Sequence, residues 1–524
     1  MNSTYISRNH NGGTMEITIK TAHPDTISCA ALLLLIPPAT AKSDLQIFNL
    51  AGKSKHLPAI NKLHRLGDFH DNADEIVWFH PEEAPAQRVL LAGLGRREGE
   101  VEKLKDGPHL QRVIANAVAA ARKLGVQEIC VPLGGALTDQ FGPGEAARLL
   151  AEAALLANYQ FVKYKSKAGP RDQPLQRLTI AVENSRQQTE ATAGVEHGRV
   201  FATWTCCARD LQNMPSNDLT PELFAQIAQM KAAEAGISCR VFDENMIREL
   251  RMGALLAVAQ GSNNPPRFVV LENHQPDSAD TIVLIGKGVT FDSGGLSIKS
   301  SEAMEEMKFD MSGAATALSA TCCLAQLRTP LHLVCLLPLV ENMPSGQALR
   351  PGDIVRASNG KTIEVADTDA EGRLILADAL AYASRFAPAA VIDLATLTGS
   401  VFYALGEAAA GLFSNDSDLS DNIKQAAQTS GERVWELPLF PEFTKNLASE
   451  IADLRNISAK KVGAGASHGA AFLAAFVNGY KWAHLDIAAV AVPQETSPLC
   501  PTKGTGWGVR LLTRFCQDWV SNKQ

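Results

Sequence analysis

Acidic and basic side chains recur throughout residues 286–373, although most of the neighbouring residues are apolar. The acids are Asp292, Asp310, Asp369 and Glu371, and the bases are Lys287, Lys299 and Arg373. Moving several carboxylates out of water is costly unless positive charge compensates them. A pair of divalent cations does so efficiently, because such cations bind carboxylate oxygens. The stretch therefore indicates a hydrolytic site that holds two metal ions.

Histidine is absent from this stretch except for His332, and the next histidines along the chain are His274 and His468. This spacing excludes the HExxH helix of many zinc proteases. Any metal ligands in the stretch must therefore come mainly from carboxylates.

The basic residues suit two different tasks. A lysine held between cations loses its proton readily, so the amine of Lys287 could itself be a ligand. Lys299 and Arg373 are suited to holding an oxyanion or a bound anion.

Each charged residue also has a purely structural alternative. Residues 292–295 read Asp-Ser-Gly-Gly, which is a common turn. The three later acids could cap the helices that follow them, since acids favour the first helical turn. Lys299 and Arg373 could simply pair with these acids. A single metal site accounts for all of these residues together, and we favour it for that reason.

Composition narrows the class of protein. A chain of 524 residues suggests two or more domains. The formal net charge of −7 argues against a nucleic-acid or membrane partner, since both favour basic surfaces. The 10 cysteines form no CxxC pattern, which indicates a reducing compartment and a cytoplasmic location.

The apolar run at residues 27–41 resembles the hydrophobic part of a signal peptide and ends in Ala-Thr-Ala. The segment before it is long and contains Glu16 and Asp25 rather than a basic cluster. The run is also too short to span a bilayer. We therefore interpret it as a buried strand.

Alternating strand and helix patterns predict an α/β protein with two domains. We expect a disordered extension at residues 1–14 and a non-catalytic α/β domain with a mainly parallel or mixed sheet at 15–186. A connecting helix at 187–211 would lead to a larger catalytic α/β domain at 212–524, with a central mixed sheet flanked by helices.

In the second domain, the strongest patterns predict strands at 268–272, 281–285, 331–337, 363–367 and 390–394, and helices at 221–235, 314–327 and 374–386. The four acids fall where strands end or helices begin. Ligand sites in open α/β sheets lie at the carboxyl ends of strands, so this placement favours a single site.

Several motifs resemble those of the leucyl (cytosol) aminopeptidase family. The two signatures are residues 286–295 (Gly-Lys-Gly-Val-Thr-Phe-Asp-Ser-Gly-Gly) and 369–374 (Asp-Ala-Glu-Gly-Arg-Leu). Further similar segments are residues 213–217, 435–439, 452–456, 469–477 and 482–488. The resemblance is strong over residues 195–515, and residues 15–185 are similar only in size and α/β pattern.

The resemblance implies a metal-dependent aminopeptidase that removes the first residue of peptides, leucine-like or otherwise unhindered, with a water activated by two metals. One metal would be bound by Lys287, Asp292, Asp310 and Glu371, and a more exchangeable one by Asp292, Asp369 and Glu371. Ligand type leaves zinc, manganese, cobalt and magnesium open. The family also implies a homohexamer.

Other roles follow from the same resemblance. Lys299 would stabilise the tetrahedral oxyanion, and Arg373 would hold a bicarbonate-like anion that shuttles the proton. The positions that would line the substrate pocket or anion site are Met307, Thr396, Leu397 and Gly399.

Three positions depart from the family pattern. Asp367 stands where asparagine is usual, Ser312 where glycine is usual, and His468 where we expect a small residue. They leave metal preference, pH optimum and side-chain preference open. Two other functions remain as alternatives: a DNA-binding regulator, and a catalytically silent hexameric scaffold, against which the complete ligand set argues.

Overall fold

The computed structural model divides the chain into two compact units. The first comprises residues 1–203 and 496–502, and the second comprises 204–495 and 503–524. The predicted extension at 1–14 lies outside the residues that the structure describes. These are 15–38, 46–50, 54–82, 85–95, 106–166, 173–275, 278, 280–460 and 462–521.

The first unit contains a six-stranded sheet with the strand order β1-β6-β5-β2-β4-β3. All neighbouring strands are parallel except β3 and β4, which are antiparallel at one edge. The strands are β1 (Glu16–Thr21), β2 (Ala31–Ile36), β3 (Ile76–Phe79), β4 (Val89–Gly93), β5 (Glu128–Leu133) and β6 (Arg177–Val182). The helices are α1 (Leu57–Leu66), α2 (Gly107–Lys123), α3 (Gly135–Phe141) and α4 (Pro143–Ala157).

Strand β2 confirms the interpretation of the early apolar run, because every residue of it is buried. Leu33 and Leu35 pack into one core cluster, and Leu32 and Leu34 pack into another. Successive side chains of a strand point to opposite faces of a sheet, so both faces here are covered. This explains why the run shows no alternation between apolar and polar residues.

Helix α5 (Ser185–Asn213) is continuous, and the division between the two units falls inside it, between Thr203 and Trp204. It contains the whole of the segment that we expected to be a connecting helix, residues 187–211.

The second unit is built on a nine-stranded sheet that is mixed, as predicted. Eight of its strands follow the order β16-β15-β18-β14-β9-β11-β8-β7, and the ninth strand, β10, pairs with β11 outside this order. The strands are β7 (Ser238–Phe242), β8 (Arg267–Asn273), β9 (Thr281–Gly286), β10 (Gly288–Asp292), β11 (His332–Asn342), β14 (Ala390–Ala395), β15 (Ala410–Ser414), β16 (Val434–Glu436) and β18 (Lys481–Asp486). A separate three-stranded sheet contains β12 (Ile354–Arg356), β13 (Thr362–Glu364) and β17 (Leu454–Arg455).

The longer helices of this unit are α6 (Pro221–Ala235), α10 (Ser312–Gln326), α11 (Gly372–Ala383), α13 (Ser417–Ser430), α15 (Gly465–Ala474) and α16 (Val509–Ser521). The shorter ones are α7 (Glu244–Glu249), α8 (Gly253–Ala259), α9 (Ser301–Glu305), α12 (Gly399–Leu405) and α14 (Pro441–Lys445). Helix α6 has the predicted bounds, and Thr220 caps it by accepting a hydrogen bond from the Leu223 amide. Within the described parts of the chain, each helix is too short or too polar to cross a lipid bilayer.

The predicted strand at 363–367 is wrong in its second half, because β13 ends at Glu364. Beyond that point, the amides of Ala366 and Asp367 donate to Oδ1 of Asn456 rather than to a neighbouring strand. Asp367 therefore lies in the loop before α11. The sequence also shows no separate indication of β10, which pairs with the end of β11 through Gly288, Val289 and Asp292.

Helix α10 begins unusually close to the central strands. The Ala314 amide donates to the Lys287 carbonyl over 2.9 Å. A Cβ atom added to Gly313 would lie 2.2 Å from the Leu394 carbonyl oxygen and 2.9 Å from the Lys287 amide nitrogen. Only glycine allows this approach, which brings the residues before α10 next to the ends of β9 and β14.

The substitution Gly313→Ala is therefore expected to destabilise the second unit. The backbone around the new methyl group has to shift, and such overpacking costs about 1–3 kcal/mol. A fall in the thermal unfolding midpoint, followed by circular dichroism, would show this. Gly346→Ala is the matched control, because nothing lies within 4 Å of its added Cβ atom. Equal midpoints for the two variants would contradict the packing argument.

Candidate metal centre

The charged residues singled out in the sequence meet at one edge of the large sheet. Lys287 directly follows β9, and Asp292 ends β10. Asp310 directly precedes the first turn of α10, while Asp369 and Glu371 lie in the loop that leads into α11. Strands β9, β11 and β14 are parallel neighbours, so their carboxyl ends share this edge.

Lys287 is at the centre of one group of contacts. Its Nζ atom lies 2.7 Å from Oδ1 of Asp310 and 2.8 Å from Oε1 of Glu371. It also donates to the Thr396 carbonyl over 2.9 Å. The side chain runs against the backbone of Gly372, where an added Cβ atom would lie 2.5 Å from Cε of the lysine. Glycine at this position is thus what lets the lysine reach the carboxylates.

Lys299 is at the centre of a second group. Its Nζ atom lies 2.8 Å from Oδ2 of Asp292 and also pairs with Oδ1 of Asp369. Asp292, Asp369 and Glu371 each offer a carboxylate oxygen, and these oxygens lie within 4.8 Å of one another. This spacing is small enough for one cation to contact all three.

Asp310 supplies a test of whether a cation fits here. Its Oδ1 accepts hydrogen bonds from Lys287 and, over 2.7 Å, from Oγ1 of Thr396. Its Oδ2 is buried and has no hydrogen-bond partner in the described chain. A buried carboxylate oxygen without a partner is costly, and a cation would satisfy it. The donor set, four carboxylates and an amine, fits divalent metals.

The carboxyl groups differ in how their surroundings affect ionisation. Burial, followed by repulsion from Glu371, raises the pKa of Asp292 to about 7. Burial also raises the pKa of Asp310 and of Asp369. For Glu371, burial acts in the same direction, but the two nearby lysines outweigh it and lower the pKa. The protein groups alone therefore disfavour four simultaneous negative charges, which is what added positive charge would relieve.

The lysines show the complementary effect. Burial opposes their charge, but Asp310 and Glu371 outweigh it and raise the pKa of Lys287. Asp292, together with Glu371, similarly raises the pKa of Lys299. For the Lys287 amine to be a ligand, a cation has to displace its proton.

Arg373 lies behind the carboxylates and is almost fully buried, with 7 % exposure. One Nη atom donates to the Asn456 carbonyl over 2.6 Å. Its Nε is buried and has no hydrogen-bond partner in the described chain. Burial lowers the pKa of Arg373, and the negative charges of Glu371 and Asp486 oppose this. Because Nε is a free donor, the guanidinium is suited to binding a small anion.

The four predicted pocket residues are not equally close to this group. Thr396 contacts both Lys287 and Asp310. Leu397 donates its amide to Asp486, and Gly399 begins α12. Met307 lies in the short 3-10 helix before Asp310. Within the described chain, no hydrogen bond or ion pair joins Met307, Leu397 or Gly399 to the four carboxylate groups.

Two asparagines contact the site although the sequence predicted no functional role for them. Asn342 Nδ2 donates to Oδ1 of Asp292 over 2.8 Å and to the Thr368 carbonyl over 3.0 Å. Asn456 contacts the loop before α11. The only sequence signal for Asn342 is a polar residue that ends the long apolar strand β11, and Asn456 lies in one of the motifs that resemble the family.

The three unusual residues all make local contacts. Oδ1 of Asp367 accepts from the Asp369 amide over 2.9 Å. The Ser312 hydroxyl donates to the Phe309 carbonyl over 2.6 Å. Nε2 of His468 lies 3.2 Å from Nδ2 of Asn446. The first two contacts lie within the turns at residues 367–369 and 309–312, and the third joins the C-cap of α14 to α15.

Comparison with known proteins agrees with this geometry. The catalytic-domain model of the cytosol aminopeptidase family matches residues 206–513, and the N-terminal-domain model matches residues 52–168. A probable cytosol aminopeptidase of Roseiflexus castenholzii is 43% identical over 92% of this chain and 98% of its own. One of Azotobacter vinelandii is 38% identical over 96% of this chain and 99% of its own.

A solved structure, the bottromycin maturation enzyme BotP in complex with Mn, has a TM-score of 0.79 and 34% sequence identity. The match covers 94% of this chain and 99% of that one. These relatives support neither the DNA-binding nor the scaffold alternative. The family resemblance inferred from the motifs is confirmed, and the chain belongs to the cytosol aminopeptidase family, whose members are metal-dependent peptidases.

Proposed function

We propose that this protein removes the N-terminal residue from peptides, favouring leucine-like and other unhindered residues, at a site that holds two divalent metal ions. The observation that carries the proposal is the meeting of four carboxylates and Lys287 at one sheet edge. The unpartnered Oδ2 of Asp310 supports it further, since this oxygen has the position and chemistry of a ligand.

The contacts suggest how the proposed ligands are shared between the two metal ions. Lys287, Asp310 and Glu371 form one group, and Asp292, Asp369 and Glu371 form the other. We propose that Asp292 and Glu371 serve both metals. When bound, the metals would polarise the scissile carbonyl and lower the pKa of a water. Manganese is named in the BotP structure, and zinc, cobalt and magnesium remain candidates for this chain.

Two residues would act on the substrate without being ligands. The Lys299 ammonium is anchored by Asp292 and Asp369, so it can present a fixed positive charge to the oxyanion that develops from the carbonyl. Arg373 has a buried, unused Nε donor that suits a bicarbonate ion, and a bicarbonate held there could accept the proton from the attacking water.

The proposal also covers the substrate pocket, the oligomeric state and the first unit. Met307, Thr396, Leu397 and Gly399 would line the substrate pocket or the anion site, and Thr396 is the one that contacts the ligand group. We propose that the protein acts as a cytoplasmic homohexamer. The first unit would then be a non-catalytic domain.

Removing the metals is expected to abolish hydrolysis of leucine anilide, and adding manganese or zinc should restore it. Glu371→Ala should prevent this restoration, because the proposal makes Glu371 a ligand of both ions. Steady-state rates before and after metal addition test both statements. Glu244→Ala is the control, since Glu244 is largely exposed on α7 and, among the described residues, forms an ion pair with Arg248 alone. Metal-independent hydrolysis by intact protein would contradict the proposal.

Replacing Lys299 by methionine should lower kcat for leucine anilide about 100–1000-fold, the usual effect of losing one oxyanion donor. KM should change little, provided that rates are measured at saturating metal. Lys424→Met is a matched control, because Lys424 also pairs with two carboxylates, those of Asp421 and Glu436. An unchanged kcat in the Lys299 variant would show that this ammonium takes no part in the reaction.

A further inference from the structure

Asn456 is fully buried and directly follows strand β17. Both ends of its side-chain amide contact the loop before α11. Oδ1 accepts from the amide of Ala366 over 2.8 Å and from that of Asp367 over 3.4 Å. Nδ2 donates to the carbonyl of Asp367 over 2.6 Å and to that of Ala370 over 3.4 Å. One side chain thus makes four hydrogen bonds to three residues of the five-residue segment 366–370.

The loop needs these contacts because it leaves the sheet after Glu364. Buried backbone amides and carbonyls require partners. Val365 still bonds to the backbone of Gly352 and Asp353, but the amides of the next two residues, Ala366 and Asp367, bond to the Asn456 side chain instead. Asparagine can satisfy both kinds of group, since its amide carries a donor and an acceptor. The same loop carries Asp369 and Glu371.

The main chain of Asn456 makes a second connection. Its carbonyl accepts the 2.6 Å hydrogen bond from Arg373. The guanidinium has no hydrogen bond at Nε within the described chain, so this carbonyl is an important constraint on its orientation. Asn456 therefore contacts both the loop that carries two proposed ligands and the proposed anion-binding residue.

The opposite side of the loop is fixed independently. Thr368 Oγ1 donates to the Gly294 carbonyl over 2.7 Å and accepts from the Ser297 amide over 2.8 Å. Asn342 Nδ2 donates to the Thr368 carbonyl. The backbone of the loop is held between these contacts and Asn456, so loss of the Asn456 side chain would remove the hydrogen bonds on one of its two sides.

We infer that Asn456 is a positioning residue, which sets the distance between the carboxylates of Asp369 and Glu371 and the guanidinium of Arg373. It would control metal affinity and turnover together, although it touches neither metal nor substrate. This inference rests on the proposed function. Residues that orient metal ligands typically change metal affinity or activity about 10–100-fold when they are replaced.

Two substitutions separate positioning from mere support of the fold. Asn456→Ala removes all four side-chain contacts. Asn456→Asp keeps the shape of the side chain and the acceptor oxygen that faces the amides of Ala366 and Asp367. It replaces the donor Nδ2 by a second oxygen, which faces the carbonyls of Asp367 and Ala370, and it adds a negative charge beside Arg373. The aspartate variant supplies the test if the alanine variant fails to fold.

The matched control is Asn49→Ala. Asn49 is also fully buried, and its side chain also clamps backbone, with Oδ1 accepting from the Leu35 amide and Nδ2 donating to the Leu33 carbonyl. It lies in the first unit, so its loss should lower stability without affecting the metal centre.

The experiment is a manganese titration of metal-stripped full-length protein by calorimetry, combined with thermal unfolding and with kcat and KM at saturating manganese. For both Asn456 variants, we expect the manganese Kd to rise about 10–100-fold and kcat to fall by a similar factor. KM should change little. Asn49→Ala should lower the unfolding midpoint and leave the manganese Kd and kcat at the wild-type values.

If the Asn456 variants lose stability as Asn49→Ala does, but keep the wild-type manganese Kd and kcat, the inference is wrong and Asn456 only supports the fold. If the wild-type protein neither binds manganese nor hydrolyses leucine anilide, the proposed function itself fails. The two failures are therefore distinguishable.

Discussion

Six ionisable side chains meet at the carboxyl edge of the large sheet, and the cost of burying their charge governs the structure around them. Three of the four carboxylates are almost fully buried and Asp369 is partly exposed, and burial, together with their mutual repulsion, raises the pKa of Asp292, Asp310 and Asp369. Lys287 and Lys299 neutralise only part of it. The arrangement therefore favours the binding of additional positive charge. Divalent cations can supply that charge, because carboxylate oxygens bind them well.

The fold supplies the geometry that this charge requires. Glycines at the start of α10 and α11 allow backbone and the Lys287 side chain to approach more closely than any other residue would permit. Buried asparagines then hold the loops in place: Asn342 orients Asp292, and Asn456 satisfies the backbone of the loop before α11. Uncharged residues thus help to position the carboxylates, in addition to the two lysines that pair with them.

The sequence alone predicted the α/β class, the two units, the mixed sheet and most of the longer elements, because these depend on local patterns of apolar residues. Helix α6 was predicted with the bounds that the structure shows, since Thr220 and Pro221 mark its start. The charged residues of the centre were also identified, because acids at the ends of apolar strands are conspicuous.

What the sequence did not predict depends on contacts between distant residues. The strand at 363–367 was predicted too long, since Ala366 and Asp367 bond to Asn456, about ninety positions away in the chain, instead of to a strand. The short strand β10 depends on pairing with β11. Asn342 ends an apolar strand and Asn456 lies in a segment that resembles the family, but neither signal shows what the side chain bonds to, so their contacts become visible only in the folded chain.

The proposal that two cations share this group of carboxylates can be tested most directly by diffraction from manganese-soaked crystals, measured on both sides of the manganese absorption edge. We expect two anomalous peaks per chain, one in contact with Lys287 and Asp310, the other in contact with Asp369, and both in contact with Asp292 and Glu371. Crystals with no peak among these carboxylates, or with a single peak that leaves Oδ2 of Asp310 without a ligand, would contradict the two-metal site.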